Sequence, residues 1–264
     1  MSQNQFQQAQ SLPGQIREIS ENSRLLAESE RLGITLLNSI SHEIRTPLTV
    51  IQTAADNLIK YGDSELSQFQ KEMIMEIQEA GERLNRFIGK VLDMTRLESG
   101  RLKPRLDLYN IRELVMMAEK ETRKELARHK VTIEIAQDLP LLEMDFDLML
   151  HALTNLLSNA AFHTPPGTEV TLSVEIEDGA VLISVADRGP GIPAESIPHL
   201  FEKFYRAPAS RAGGTGLGLC LVKGFVEAQG GRVTAVNRAL GGATFTIRLR
   251  ALRACICDEL CNTG

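Results

Sequence analysis

The sequence predicts an α+β chain of more than one domain, a helical hairpin followed by an α/β sandwich with one sheet and helices on one of its faces. Three observations lead to this. Apolar residues recur at steps of three and four along two long runs in the first third of the chain. Strand-like and helix-like runs alternate in the remainder. Gly100 and Pro104 punctuate the chain between the two patterns. At 264 residues, 43% hydrophobic and 24% charged, the chain can bury a core in each part.

Taken in order, Leu37, Ile40, Ile44, Leu48, Ile51, Ala55 and Leu58 form the first stripe. Leu66, Phe69, Met73, Ile77, Ala80, Leu84, Phe87 and Val91 form the second. Such a/d-type stripes make helices pack lengthwise. Tyr61-Gly62-Asp63-Ser64 reads as the turn between them, with Ser64 or Asp63 capping the second helix. Residues 20–98 therefore read as a hairpin, and two helices of this length leave apolar surface that a homodimeric four-helix bundle would cover. Beyond the break, helices are expected at Ile111–Arg128, Phe146–Phe162 and Gly216–Gln229. Strands are expected at Val131–Ile135, Val170–Ile176, Val181–Asp187, Arg232–Val236 and Thr244–Leu249, with Glu177-Asp178-Gly179 as a hairpin turn. The boundaries that follow are a flexible segment 1–24, a helical hairpin 25–102, a sandwich domain 103–252 and a tail 253–264.

Composition narrows the function. A net charge of −5 excludes the basic face of a nucleic-acid binder. No apolar run approaches the roughly 20 residues needed to span a bilayer, so the sequence reads as cytosolic, with membrane contact only through a possible upstream region. Cys255, Cys257 and Cys261 have no partner pair at zinc spacing and read as an incidental reduced tail.

Within the first helix, Ser41-His42-Glu43-Ile44-Arg45-Thr46-Pro47 is unusual. His42 lies two positions after Ile40, about 200° round the helix, so it projects away from the stripe. Pro47 removes a backbone donor and crowds the Glu43 carbonyl, bending the helix one turn after the histidine. Glu43 can take a proton from one imidazole nitrogen and make the other more nucleophilic. By itself the segment also fits an exposed histidine on a kinked surface helix.

A second constellation follows. Asn155 and Asn159 share a helix face, and their amide oxygens suit a hard cation such as Mg²⁺. Asp187-Arg188-Gly189-Pro190-Gly191 ends an apolar strand, where a carboxylate can accept a hydrogen bond from an exocyclic amine and glycines let backbone approach a flat base. Gly213-Gly214-Thr215-Gly216-Leu217-Gly218-Leu219 runs into a helix, whose free amides suit phosphate. Singly, each has a bland reading as solvated amides, a turn or a Gly-rich loop. Their order within about 65 residues argues for a nucleotide site.

Over residues 25–250 these segments resemble the two-component sensor histidine kinases. SHEIRTP is similar to the H box, NLLSNAAFHTP to the N box, DRGPG to the G1 box, FEKFYR to the F box and GGTGLGL to the G2 box. The flanking wording is most similar to the potassium-sensing KdpD branch. The resemblance implies a sandwich of the GHKL (Bergerat) type with ATP and Mg²⁺ as cofactors. It makes His42 the phosphoacceptor, Glu43 its general base and Thr46 the residue that orients water to dephosphorylate the partner. Asn155 and Asn159 would belong to the Mg·ATP site, Asn159 as the direct metal ligand. Asp187 would read adenine in a pocket shaped by Gly189 and Gly191. Phe201 and Phe204 would anchor a mobile lid, and Gly214, Thr215, Gly216, Leu217 and Gly218 would form its phosphate-binding end. The implied partners are a second copy of the chain and the receiver domain of a response regulator, of the KdpE kind for this branch. One position departs from the family: Phe162 stands where many members have Lys or Arg, with Lys203, Arg206 and Arg211 as candidate replacements. That departure leaves a nucleotide-binding scaffold without phosphotransfer as the alternative.

Overall fold

The structure is a computed structural model that describes residues 44, 48–59, 66–208 and 215–250. His42, Glu43, Thr46, Pro47, the Tyr61–Ser64 turn, Arg211, Gly213, Gly214 and the three C-terminal cysteines lie outside the described residues. The chain divides into two compact units between Arg101 and Leu102. Among the described residues no helix is long and apolar enough to cross a membrane.

The first unit contains helix α1, described over residues 48–59, and α2 (Gln68–Glu98). The helices run antiparallel: Gln78 donates to Asp56 at 2.5 Å, and Gly81 lies against the Gln52 side chain. The α2 cap is Ser67, not Ser64 or Asp63. Its hydroxyl accepts from the Gln70 amide while the Gln70 side chain accepts from the Ser67 amide, a reciprocal box that satisfies two otherwise unpaired donors. The hairpin's own seam is made by Leu48 and Ala55 with Ile74, Ile88 and Leu92. Much of the expected stripe faces outward instead: Ile44, Ile51 and Leu58 on α1, and Phe69, Ile77, Leu84 and Phe87 on α2, are exposed in the single chain. Ile44, Ile51 and Leu58 are spaced by sevens, as are Ile77 and Leu84, the repeat of a helix seam without its partner.

The second unit contains, in order, β1 (Asp107–Tyr109), α3 (Ile111–Thr122), β2 (Lys130–Ile135), β3 (Leu142–Met144), α4 (Phe146–His163), β4 (Glu169–Glu177) and β5 (Ala180–Asp187). A short 3₁₀ turn (Ala194–His199), α5 (Gly218–Ala228), β6 (Arg232–Asn237) and β7 (Ala243–Arg250) complete it. Five strands form one sheet in the order β2-β4-β5-β7-β6, with β2 and β4 parallel and the other pairs antiparallel, while β1 and β3 make a separate ribbon.

Alternation decides which face the helices cover. Val170, Leu172 and Val174 on β4, Val181, Ile183 and Val185 on β5, and Phe245, Ile247 and Leu249 on β7 align across the sheet and are buried. They join Leu114, Val115 and Ala118 of α3, Leu153, Leu156 and Leu157 of α4, and Val222 and Val226 of α5 in one core. The opposite face carries half-exposed polar side chains, among them Ser184 and Thr246, whose hydroxyls meet at 2.9 Å. The fold is thus the one-sided sandwich the periodicity predicts. The Glu177–Gly179 turn closes as expected, with Asp178 at φ 49° and Gly179 at φ 70°.

Candidate functional site

Helix α4 supplies the first wall. Asp145 caps it by accepting from the Leu148 amide, and its apolar side is locked into the core. Asn155 and Asn159, half-buried, stand one turn apart on the other side. The Asn155 amide nitrogen donates to the His151 carbonyl at 2.8 Å, which turns its oxygen outward as an acceptor or ligand. The Asn159 side chain has no hydrogen-bond partner among the described residues. Phe162, three residues on, meets the His163 ring edge-on at 5.0 Å.

Strand β5 delivers Asp187 at its end, 8% exposed. Its Oδ1 accepts from the amides of Gly189 (2.8 Å) and Ala243 (3.3 Å), while Oδ2 has no partner among the described residues. A buried carboxylate is stabilised by such amides, which also fix which oxygen is left to recognise something else. Thr164, buried at the end of α4, donates to the Ala160 carbonyl and presses its methyl group towards Gly189, where a Cβ would come within 2.7 Å.

The segment after Asp187 is gripped from elsewhere. Ile192 donates to Asn237 Oδ1 at 2.8 Å and accepts from Asn237 Nδ2 at 2.6 Å. The Arg238 guanidinium donates to the Asp187 carbonyl at 3.1 Å. Gly242, at φ 88°, lies so close to this strand end that a Cβ would fall 2.0 Å from the Asp187 carbonyl oxygen, so no other residue fits. Arg188 turns the other way and pairs with Glu169 at 2.7 Å.

The 3₁₀ turn follows. The structure gives the two expected lid anchors different roles. Phe201 packs against the core, whereas the Phe204 ring is 67% exposed and its backbone sits at φ 59°. Phe204 contributes through its amide, which donates to the Gly216 carbonyl at 3.0 Å. Gly216 itself is at φ 69°, and a Cβ there would meet the Phe204 backbone at 2.6 Å. Thr215 Oγ1 accepts from the Leu217 amide, Leu217 is buried, and α5 begins at Gly218, two residues later than its pattern predicts. The N-terminus of α5 has no side-chain cap and no acidic residue in its first turn, which leaves its amides for an anion.

Sequence reasoning missed Thr164, Asn237, Arg238 and Gly242. Thr164 lies inside the NLLSNAAFHTP segment without having been singled out, and the Gly241-Gly242 doublet carried the signal of a turn. Asn237 and Arg238 matter through partners far away in sequence.

Together, the one-sided sandwich, the paired asparagines, the half-committed carboxylate and the uncapped glycine-led helix define a nucleotide-binding domain that follows a helical hairpin. Comparison with known proteins agrees. The profile of the histidine kinase-, DNA gyrase B-, and HSP90-like ATPases matches residues 144–253, and that of the His Kinase A (phospho-acceptor) domain matches residues 34–100. The sensor protein KdpD of Clostridium acetobutylicum is 34% identical over 233 residues, covering 87% of this chain and 26% of that protein. KdpD of Escherichia coli K12 is 31% identical over 230 residues, again covering 87% and 26%. The crystal structure of full-length ShkA in complex with AMPPNP aligns with a TM-score of 0.67 at 27% identity, over 81% of this chain and 45% of that one. The chain belongs to the two-component sensor histidine kinases. It spans about a quarter of the length of the two KdpD relatives.

Proposed function

We propose that this chain is the kinase core of a two-component sensor: it binds Mg·ATP in its second unit, phosphorylates His42, and passes the phosphoryl group to an aspartate of a response regulator. The observation that carries the nucleotide reading is Asp187. A buried carboxylate with one oxygen held by two amides and the other uncommitted is suited to accept from the exocyclic amine of adenine. The α5 N-terminus suits the phosphates.

The donor set of α4 fits the metal. Asn155 and Asn159 would hold a Mg²⁺ ion by their amide oxygens, the kind of hard ligand that such an ion takes beside phosphate and water. It would supply charge neutralisation at the phosphates.

In the proposed reaction a nitrogen of His42 attacks the γ-phosphorus in line, an N–P bond forms, the bond to the bridging oxygen breaks, and ADP leaves. Glu43 accepts the proton from the other ring nitrogen. Positioning and charge stabilisation account for most of the rate. Thr46 orients water for the reverse duty, hydrolysis of the regulator's phosphoaspartate. The exposed seven-residue repeats of α1 and α2 support a homodimer, and the KdpD relatives support a KdpE-like regulator.

The test is incubation with γ-labelled ATP. Acid-labile, base-stable label on the wild type and none on His42→Gln is the expected result. Normal labelling of His42→Gln would refute the assignment. Binding of ATP with no label on the wild type would favour the scaffold reading to which Phe162 points.

A further inference from the structure

We propose that Asn237 and Arg238 are positioning residues for base recognition: the segment joining β6 to β7 is a latch that holds the Asp187–Ile192 loop in its binding shape. The inference rests on Asp187 reading the base, as argued above, and adds residues that none of the sequence motifs contains.

The loop has a hold at each end, and both come from the β6–β7 hairpin end, Asn237 closing β6, Arg238 in the turn and Ala243 opening β7. At the Asp187 end, Arg238 holds the carbonyl and the Ala243 amide holds Oδ1. At the Ile192 end, the Asn237 amide group satisfies the backbone N–H and C=O of the same residue, as a neighbouring strand would. Between these ends the two segments are in close contact: a Cβ on Gly191 would stand 3.1 Å from Asn237 Oδ1, and one on Gly241 would stand 3.7 Å from the Gly189 carbonyl. Outside the latch, the Arg188 amide donates to the Glu169 carbonyl, its side chain pairs with the Glu169 carboxylate, and the Gly189 amide donates to Asp187 Oδ1.

The consequence is chemical. The Asp187 carboxylate discriminates bases only if its uncommitted oxygen points in a fixed direction, because a carboxylate that can swivel also tolerates a base with a carbonyl in place of the amine. Affinity gained by holding a loop ready is lost when the loop must be ordered at each binding event.

Asn237→Leu removes both bonds to Ile192. Asn237→Asp keeps the acceptor for the Ile192 amide, loses the donor, and sets a charge against the Ile192 carbonyl. Val233→Ala, a buried position on the same strand, serves as a control that weakens β6 without touching the latch. With the full chain, ATP and GTP dissociation constants are measured by titration calorimetry and the melting temperature by circular dichroism. For Asn237→Leu the ATP constant should rise about tenfold and the preference for ATP over GTP should shrink by a similar factor, roughly the effect of one or two lost hydrogen bonds. Asn237→Asp should fall between it and the wild type. Val233→Ala should melt earlier with its preference intact. Wild-type preference in Asn237→Leu, or in Asn237→Asp should the leucine variant not fold, overturns the latch. So does a Val233→Ala variant that loses preference as fully. A wild type that binds both nucleotides equally refutes the adenine reading of Asp187 instead.

Discussion

Asp187 is the only carboxylate buried among the described residues, and its two oxygens do different work. Asp187→Asn keeps an acceptor at Oδ1 for the Gly189 and Ala243 amides, so the fold should persist. It can present an N–H₂ where the adenine amine needs an acceptor. ATP affinity should fall by about ten- to a hundredfold, read by calorimetry, with little change in melting temperature. Gly216→Ala tests the other end of the site. Its positive φ costs a non-glycine residue about 1 kcal/mol, and the 2.6 Å approach to Phe204 adds a clash, so ATP binding should weaken by at least about tenfold. On the hairpin, Thr46→Ala should still label at His42 but clear phosphate from the regulator far more slowly, followed by loss of label from purified phosphoregulator. These residues were legible because their chemistry lies in short motifs. Asn237 and Arg238 were not, since their partners Ile192 and Asp187 lie 45 and 51 residues away in sequence.

At the scale of elements, what was legible followed from period and length. The five long strands were found to within a residue or two, because β4 and β7 alternate inward apolar with outward polar residues and the more apolar β5 and β6 are bounded by turn residues. Three-residue β1 and β3 carry too few residues to show alternation. The expected helix Ile111–Arg128 ends early, at Thr122. Its apolar period continues to Leu126, which is buried, but from a turn rather than from the helix. The α2 cap was misplaced because Tyr61-Gly62-Asp63-Ser64 is the stronger turn signal, whereas Ser67 is recognised only with Gln70 three residues on. Helix α4 carries both asparagines, so its seating should matter to function as well as stability. Leu153→Ala, at a fully buried position, should cost about 2–5 kcal/mol in urea unfolding of the second unit.

For the whole molecule, the exposed repeats on the hairpin make the strongest demand. Burying a Leu or Ile that is otherwise exposed contributes about 1.5–3 kcal/mol, so a partner covering Ile51, Leu58, Ile77 and Leu84 would be held firmly. Leu84→Glu should halve the mass measured by light scattering while the second unit still binds ATP. A further consequence lies in the sheet. Strands β2 and β4 are its single parallel pair, and α4 lies in the connection between them. Parallel neighbours cannot be joined by a tight turn, so the helix that holds the candidate metal ligands is also the crossover that lets the sheet close. Its amides should therefore exchange with deuterium only through opening of the whole unit, whereas those of the Ala194–His199 turn should exchange through local fluctuations. The wall bearing Asn155 and Asn159 would then stay rigid for as long as the domain stays folded, and the shape changes that accompany each nucleotide would be left to the opposite side of the pocket.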